Sequence, residues 1–333
     1  MTKVRMAQYG TQHGHAAGKL AAMVSNPDVE MAGVYEPDPA RRRALAAAGG
    51  AWAGVRWFAS EDELLGDPTI VAVASEGLNR DSLAQTETLV RAGKHVWYDK
   101  PAGEDWPRWQ VVAAQAAQQG TYIQMGYMFR YHEGFARIAE WARDGMLGHV
   151  FAIRAHMSTR ITAAQRQAIH AHRGGILFDL SGHMLDQIVW TLGRPERVTS
   201  FLRHDDDDVP GFADNTLAVL EFERAMAMVD IAAMEPAPMA RRYEVYGTAG
   251  SAILLEPFEP AQAIRLCLTQ AADGYAAGVR TAPVTPESRQ SLYEKELAAF
   301  LGVLAGARPP TRPLAHEMLV QETLLRCTGV LPG

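Results

Sequence analysis

The feature that most constrains the fold of this chain is an alternation, over its first hundred residues, between short β-rich runs and stretches with helical spacing. Such alternation is typical of βαβ units, in which crossover helices cover both faces of a parallel sheet. The β-rich runs are Val4–Tyr9, Val29–Tyr35, Val55–Ala59, Ile70–Ser75 and His95–Tyr98. Because ligands of this architecture bind beyond the carboxyl ends of the strands, we expect the site in the loops that follow these runs.

Beyond about residue 123 the pattern changes to one that mixes helices with an antiparallel sheet. The helical stretches and β-rich runs of this part are, in order, 135–143, 174–190, 196–203, 214–222, 226–234, 242–247, 251–255, 291–304 and 315–327. A length of 333 residues exceeds what one hydrophobic core usually serves. We therefore predict an α/β chain of two domains: a parallel-sheet domain over 1–123, and an α+β domain with a large, mainly antiparallel open sheet over 124–333.

The composition narrows the class of ligand. The chain is 48% apolar and 21% charged, and its net charge of -6 comes without a basic stripe. We therefore expect a small-molecule ligand, and neither nucleic acid nor a membrane surface as partner. Cys267 and Cys327 lie far apart without metal-binding spacing, and the sequence has neither an apolar signal segment nor a membrane-spanning stretch. These features predict a cytoplasmic protein in a reducing compartment.

The first run ends in YGTQHGHAAG, residues 9–18, directly before a helical stretch. Gly10 permits a tight turn, and the free amides at the start of a helix suit the pyrophosphate of a dinucleotide. The loop departs from the G-x-G-x-x-G fingerprint, since Gln12 and His15 stand at its second and third glycines. The second run ends in VYEPDP, where Glu36 is placed to bind both ribose hydroxyls and to repel a 2′-phosphate. The pattern therefore predicts NAD as the cofactor.

Two features qualify this prediction. Three arginines at 41–43 keep NADP as the less favoured cofactor, and a glycine turn in another kind of α/β protein is the rival interpretation. The His-x-His pairs at 13/15 and 170/172 lack Cys, Asp or Glu at metal-binding spacing, so we expect no metal. The residues expected to bind the dinucleotide are Gly10, Thr11, Gln12, His13, Glu36, Ser75 and Lys100.

Three polar side chains stand where a catalytic site would need them. The fifth run ends in HVWYDKPAG, which places Lys100 at the ligand edge of the parallel sheet. In GGILFDLSGHMLDQIVW, residues 174–190, Asp179 and His183 are four residues apart and therefore share one face of a predicted helix. The alternatives are a surface lysine after a strand and a structural Asp-His pair.

These motifs together resemble the glucose-fructose oxidoreductase, inositol dehydrogenase and rhizopine-catabolism family, Gfo/Idh/MocA. The family's order and spacing run through nearly the whole chain: the glycine turn with its acidic second strand, the acid-Lys-Pro at 99–101, GYMFRY at 126–131 and GG-x-x-x-D-x-x-x-H-x-x-D at 174–186. RRYEVYGTAGSAIL at 241–254 and PLAHEMLVQETLLRC at 313–327 resemble its C-terminal sheet and closing helix. The resemblance implies a Rossmann domain followed by an α+β domain, and nicotinamide-dependent chemistry at a sugar or cyclitol carbon.

The resemblance also implies roles for individual residues. Lys100, Asp179 and His183 match the family's catalytic lysine, aspartate and histidine. The chain departs from the family in having Asp99 where glutamate is usual, Arg173 in place of the first of three glycines, and no Thr-Pro-Asn loop at 74–82. The substrate-binding residues expected in the pocket wall are Arg130, His172 and Arg173.

We therefore predict an NAD-dependent oxidoreductase that acts on a hydroxyl or carbonyl carbon of a sugar, polyol or cyclitol. The rival functions are a redox-neutral lyase or glycosidase that uses NAD, and a regulatory protein that binds the dinucleotide without chemistry. The run AMAMVDIAAM at 225–234 is apolar at both parities, so both faces of its sheet should be covered. This pattern predicts a homo-oligomer, a dimer or tetramer, formed through the C-terminal sheet.

Overall fold

The structure is a computed structural model that describes residues 3–206, 208–254 and 257–333. The chain divides into two compact units. The first holds the described residues up to Gly126 together with Arg289–Met318, and the second holds the described residues of Tyr127–Ser288 and Leu319–Gly333. Residues 289–318, which the sequence pattern assigns to the second domain, thus make their contacts within the first unit.

The first unit is built on a parallel sheet, as predicted, with the strand order β2-β1-β3-β4-β5 among the described residues. These strands are β1 (Val4–Tyr9), β2 (Val29–Tyr35), β3 (Ala72–Ser75), β4 (His95–Tyr98) and β5 (Ile123–Met125). The helices of this unit are α1 (Ala16–Ser25), α2 (Pro39–Ala48), α3 (Glu61–Leu65), α4 (Asn79–Arg91), α5 (Trp106–Gln119) and α10 (Arg289–Leu304). Strand β3 is buried at every position, as expected for a strand covered on both faces.

Helix α10 reaches the first unit late in the chain and packs against α1. Gly18 makes this approach possible, because a Cβ at that position would lie 2.6 Å from the ring of Tyr293. Gln290 Nε2 donates a hydrogen bond to the Gly18 carbonyl at 3.2 Å. Further along α10, the Glu296 carbonyl accepts a hydrogen bond from Gln124 Nε2 in β5 at 3.0 Å.

The predicted strand Val55–Ala59 is wrong, because the segment makes a single bridge rather than a ladder. Trp57 pairs with Val34 at the edge of β2, where the Val34 amide donates to the Arg56 carbonyl and the Phe58 amide donates to the Val34 carbonyl. The apolar pattern of the segment reflects the burial of Phe58 against the sheet edge and not membership of the sheet.

The second unit contains a mainly antiparallel sheet, which confirms the predicted fold class. The strand order among the described residues is β13-β12-β11-β10-β6-β9-β8-β7, and only the β6/β9 pairing is parallel. The strands are β6 (Val150–His156), β7 (Arg197–Arg203), β8 (Asn215–Phe222), β9 (Ala225–Ala232), β10 (Arg242–Gly247), β11 (Gly250–Leu254), β12 (Ala263–Leu268) and β13 (Gly278–Pro283). The predicted strand at 251–255 corresponds to β11, and its residue 255 lies outside the described residues.

Helices cover one face of this sheet. Its helices are α6 (Glu133–Arg143), α7 (Ala163–Ile169), α8 (Ile176–Leu180) and α9 (Gly182–Leu192), while α11 (Leu314–Cys327) passes from the first unit into the second. Ala227, Val229 and Ile231 of β9 are buried on the covered face, whereas Met226 on the other face is 55% exposed. No helix in the described ranges is long and apolar enough to cross a membrane.

The predicted single helix over 174–190 is also wrong, because two helices meet at Ser181. The amide of Met184 donates to the Ser181 carbonyl only three residues back, so the regular four-residue ladder tightens at this point. The backbone of Ser181 stays in the helical region, and the amide of Leu185 also donates to its carbonyl. Asp179 and His183, predicted to share one face of a single helix, therefore lie in α8 and α9 respectively.

Candidate active site

The loop after β1 is shaped by a close approach that only glycine permits. Gly10 has a φ of +84°, and a Cβ there would lie 2.8 Å from the amide nitrogen of Gly77 in the loop after β3. The two loops are further joined by the amides of Gln12 and His13, which both donate to the Glu76 carbonyl at 3.1 and 3.0 Å. The positive φ of Gly10 fits the tight turn predicted for the first fingerprint glycine. The amides of Gln12 and His13 bind the Glu76 carbonyl and are therefore not available to a ligand.

A cavity of about 520 Å³ opens beside this loop in the first unit. Its lining combines predicted cofactor residues with side chains that the sequence did not single out: Tyr9, Gly10, Gln12, Glu36, Pro37, Asp38, Glu61, Gly77, Leu78, Asp81, Ala84, Gln85 and Thr88. Four of these residues carry a carboxyl group, and none of the lining residues within the described chain is a lysine or arginine. Such a lining suits the neutral ribose of NAD better than an added phosphate.

Glu36 lies at the end of β2 and is 2% exposed. Its Oε2 accepts a hydrogen bond from Thr11 Oγ1 at 2.5 Å, and its Oε1 accepts one from the Asp38 amide at 3.0 Å. Arg41 is not among the lining residues: its Nε lies 2.7 Å from the Thr11 hydroxyl and 3.9 Å from Glu36 Oε2, and its Nη2 lies 2.7 Å from the Thr11 carbonyl. Ser75 is buried away from the cavity lining, where its hydroxyl contacts Gln85 Nε2 at 2.9 Å.

Lys100 follows β4 directly and is 3% exposed, so it is not the surface lysine of the alternative interpretation. Its amide donates to Asp99 Oδ1 at 2.8 Å. The other oxygen, Asp99 Oδ2, lies 3.1 Å from His13 Nδ1, 2.9 Å from His15 Nδ1 and 3.1 Å from Lys19 Nζ. One buried carboxylate thus joins the segment that carries Lys100 to the nucleotide loop and to α1.

Burial and the ammonium of Lys19 determine the protonation states in this cluster. The ammonium lies between Asp99 and Glu76, 3.0 Å from Glu76 Oε1. Burial alone would raise the pKa of Asp99, but His13, His15 and Lys19 outweigh it and hold that pKa well below 3.8. Burial raises the pKa of Glu76 well above 4.5. Burial also lowers the pKa of His15 to about 4, against the opposing effect of Asp99. The cluster is therefore held by an ionised Asp99 with a charged Lys19 and a neutral His15.

Sequence reasoning missed this cluster because its members are far apart in the chain. Asp99 lies 84 residues beyond His15, so no local spacing connects them. Lys19 offered the one local signal, since it occupies a buried position of α1 beside Ala16, Leu20 and Met23. The ligand atoms of His13, His15 and Asp99 lie within 4.8 Å of one another, close enough to hold a metal ion; the expected absence of a metal remains a prediction.

In the second unit, His183 lies near the start of α9 and is 2% exposed. The ring of Phe129 packs edge-on against it, with centroids 5.1 Å apart. Asp179 lies in α8, one turn earlier and only partly buried, and its amide donates to the Gly175 carbonyl at 3.3 Å. Gly175 has a φ of +52°, and a Cβ there would lie 2.3 Å from the Ala213 carbonyl oxygen.

The predicted substrate residues have different environments within this unit. Arg130 is buried and forms a two-pronged ion pair with Asp186, with Nη2 2.8 Å and Nε 3.0 Å from Oδ1. His172 is buried and stacks on Phe178 with centroids 4.4 Å apart. Arg173 is exposed. Substrate binding by these three residues stays a prediction.

Comparison with known proteins agrees with this description. Residues 6–127 match the model of an oxidoreductase family with an NAD-binding Rossmann fold, and residues 135–253 match the GFO/IDH/MocA C-terminal domain. The chain is 27% identical to an uncharacterized oxidoreductase of Rhizobium meliloti over 306 residues, which cover 90% of each protein. It is 26% identical over 265 residues to 1,5-anhydro-D-fructose reductase of Ensifer adhaerens, covering 76% of this chain and 74% of that protein.

Solved structures share the fold over nearly the whole chain. An oxidoreductase from Agrobacterium radiobacter, solved in complex with NAD+, L-tartaric acid and magnesium, superposes with a TM-score of 0.80 at 16% identity. The match covers 97% of this chain and 94% of that one. With both halves matched by family models, the chain belongs to the Gfo/Idh/MocA family of oxidoreductases, and its first unit carries the NAD-binding Rossmann fold.

Proposed function

We propose that this protein transfers hydride between NAD and a hydroxyl or carbonyl carbon of a sugar, polyol or cyclitol. The observation that carries the proposal is the junction at Asp99, which ties the buried Lys100 to the loop beside the acid-lined cavity. A relative named as a reductase of 1,5-anhydro-D-fructose supports a sugar-like substrate. The unpaired Cys267 and Cys327 support a reducing, cytoplasmic location.

The residues of the first unit fit the cofactor. Gly10 lets the loop after β1 lie against Gly77 so that both loops border the cavity, and Glu36 at the end of β2 is one of the carboxyl groups that line it, where ribose hydroxyls would donate. NAD, when bound, accepts the hydride of an alcohol carbon or, in reduced form, supplies one to a carbonyl carbon. The protein must therefore handle the proton on the substrate oxygen.

In the proposed mechanism, three side chains divide this work. His183 takes the hydroxyl proton as the carbon loses its hydride, and returns the proton in the reverse direction. The ammonium of Lys100 stabilises the negative charge that develops on the oxygen. Asp179 orients the imidazole or a neighbouring substrate hydroxyl.

The test is a screen of sugars, polyols and cyclitols that follows the absorbance of reduced nicotinamide. With the substrate in hand, His183→Ala should lower turnover by roughly 10²–10⁴-fold, the usual range for a general acid/base, and Lys100→Met should lower it at least as much. The affinity for NAD+ in calorimetry should change little in His183→Ala. The half-buried His149 and the exposed Lys3 provide controls away from the proposed site, so His149→Ala and Lys3→Met should keep normal turnover.

Two outcomes would replace the proposal. Turnover of a substrate after dialysis, without added NAD, would indicate the redox-neutral lyase or glycosidase. A folded His183→Ala protein with normal, chemistry-limited turnover would return Asp179 and His183 to a structural role.

We also propose that the protein is a homo-oligomer joined through the uncovered face of the second unit's sheet. Large apolar side chains are exposed on that face, with Met226 at 55% and Phe201 at 55%. Strand pairing aligns Phe201 with Leu217, and Glu221 with Met226, so both exposed side chains point to the same side. Exposed apolar side chains that share one face of a sheet are typical of a protein interface.

A further inference from the structure

The His-x-His pair of the nucleotide loop has no place in the mechanism above, although both imidazoles reach the same oxygen of Asp99. His15 Nδ1 lies 2.9 Å from Asp99 Oδ2. A carboxylate only accepts hydrogen bonds, so the His15 ring carries its hydrogen on Nδ1 and donates it. His13 Nδ1 lies between the same oxygen at 3.1 Å and the His15 amide at 3.2 Å, so it satisfies only one of the two in a given tautomer. His15 is therefore the unambiguous donor of the pair.

The carboxylate that receives this hydrogen bond has no room to move. On its far side lies Gly126, where a Cβ would fall 2.7 Å from Asp99 Oδ1. Lys19 Nζ holds Oδ2 from α1 at 3.1 Å, and the Lys100 amide holds Oδ1 at 2.8 Å. Asp99 is thus fixed between the end of β5, helix α1 and the nucleotide loop, and the backbone of Lys100 is bonded to it.

We propose that His15 is a positioning residue that fixes Lys100 through Asp99, so that the nucleotide loop and the catalytic lysine form one rigid junction. The catalytic role of Lys100 rests on the proposed function, whereas the link from His15 through Asp99 to Lys100 can be tested without a substrate. The imidazole takes the place of a fingerprint glycine and supplies a contact that glycine lacks.

Two other uses of the imidazole are less consistent with the geometry. A divalent cation bound by His13, His15 and Asp99 would compete with the Lys19 ammonium, which already lies 3.1 Å from the same oxygen. A hydrogen bond to the pyrophosphate would need a hydrogen on Nε2 in addition to the one that Nδ1 donates to Asp99, which makes the ring a charged imidazolium.

The amide hydrogen of Lys100 reports on this junction directly, because it is bonded to Asp99 Oδ1. Hydrogen exchange at that amide, resolved by mass spectrometry with electron-transfer fragmentation, needs no substrate. His15→Leu keeps the branched shape but removes the donor, whereas His15→Asn places an amide nitrogen where Nδ1 stands. We expect exchange at Lys100 to be at least tenfold faster in His15→Leu and within threefold of the wild type in His15→Asn.

The control is His95→Leu, at the opposite end of β4, where the imidazole accepts a hydrogen bond from the Tyr122 amide. This variant should leave Lys100 exchange unchanged, and the calorimetric affinity for NAD+ should stay within threefold in all three variants. Unchanged Lys100 exchange in His15→Leu would overturn the proposal. So would stoichiometric Zn²⁺ binding that His15→Leu abolishes, or a loss of NAD+ affinity in that variant without faster exchange at Lys100.

The substrate screen tests the proposed function independently of the hydrogen-exchange experiment. If a substrate is found, His15→Leu should lower kcat by roughly tenfold or more with little change in the KM for NAD+, and His15→Asn should restore it. A change confined to the KM for NAD+ would contradict the positioning role even if the oxidoreductase activity is established.

Discussion

At the scale of single residues, the cofactor site depends on which charged side chain faces the cavity. The sequence places an acid and three arginines near the end of β2 and predicts that the acid determines the cofactor, with NADP less favoured. The structure turns Arg41 onto Thr11 and leaves the Glu36 carboxylate in the cavity lining. The choice depends on side-chain hydrogen bonds between loops, which a linear pattern does not contain.

Glu36→Ala should weaken NAD binding by roughly 10- to 100-fold, since it removes charge-assisted hydrogen bonds to the ribose. The same change should improve the binding of NADP relative to NAD, because it removes a negative charge from the position of the 2′-phosphate. Calorimetric titration with both dinucleotides measures the two effects together. Unaltered discrimination between them would exclude Glu36 as the ribose acid.

A histidine on the uncovered sheet face gives the stability of the protein a dependence on pH. His156 lies between Asp230, which contacts its Nδ1, and Glu235, 3.0 Å from its Nε2. The hydrogen bond with Asp230 raises the pKa of His156 above 6.5, although burial opposes it. A histidine whose pKa is higher in the folded state stabilises the fold fully below pH 6.5, and this contribution disappears as pH rises through the folded-state value.

Denaturant unfolding of wild type and His156→Asn at a series of pH values tests this dependence. The difference in unfolding free energy should be largest near pH 6 and should shrink as the pH is raised toward 9. A difference that grows with pH would contradict the assignment. His149→Asn serves as the reference substitution, because His149 is also half-buried but contacts the Arg224 carbonyl instead of a carboxylate.

At the scale of elements, periodicity predicted strands β1 to β4 of the parallel sheet well, because each is a short apolar run between clear helical stretches. It failed at Val55–Ala59, where the apolar residues pack at the edge of the sheet without forming a strand. It also failed at 174–190, where the apolar spacing continues from α8 into α9 and so predicts one helix instead of two. Strands β5, β6, β12 and β13 were not predicted. The ladders of β6 join distant parts of the chain, and β13 is mostly exposed, so its residues lack the apolar alternation of a half-buried strand.

Substitutions at two glycines next to α8 and α9 allow the cost of backbone strain to be distinguished from the cost of a steric clash. Gly175 and Gly193 both have positive φ, of +52° and +78°, so alanine is strained at either position. At Gly175 the new Cβ would also collide with the Ala213 carbonyl, whereas nothing lies within 4 Å of a Cβ at Gly193. We expect Gly175→Ala to destabilise the protein by about 1–3 kcal/mol more than Gly193→Ala in denaturant unfolding. Equal losses would mean that the α8 segment yields freely to the collision.

At the scale of the whole molecule, the sequence predicts that both faces of the large sheet are covered, whereas the helices in the described ranges cover one face. Strand β9 is apolar on both faces, but only one of them is buried by helices of this chain: Val229 on that face is buried, whereas Met226 on the other face stays exposed. Whether a second copy of the chain covers the face of Met226 is tested by measuring the mass of the protein in solution.

Light scattering at micromolar concentration should give the mass of a dimer or tetramer for the wild type. Met226→Lys places a charge in the apolar patch and should raise the dissociation constant at least tenfold, since burying an unpaired ammonium is costly. Val111→Lys is the matched control, because Val111 is 59% exposed on α5 of the first unit. A wild type that scatters as a monomer would refute the proposed assembly.

The late arrival of α10 has a consequence for how the protein is made. A ribosome delivers the strands of the dinucleotide-binding unit first, then all of Tyr127–Ser288, and only afterwards the helix that covers Gly18 and accepts the hydrogen bond of Gln124. At translation speeds of about 5–20 residues per second, this interval lasts on the order of ten seconds. During that time the nascent Rossmann unit exposes the side of α1 that Tyr293 will cover. The first unit is therefore completed only after Tyr127–Ser288 of the second has been synthesised, and a nascent chain stalled before residue 289 would carry an unfinished nucleotide-binding half.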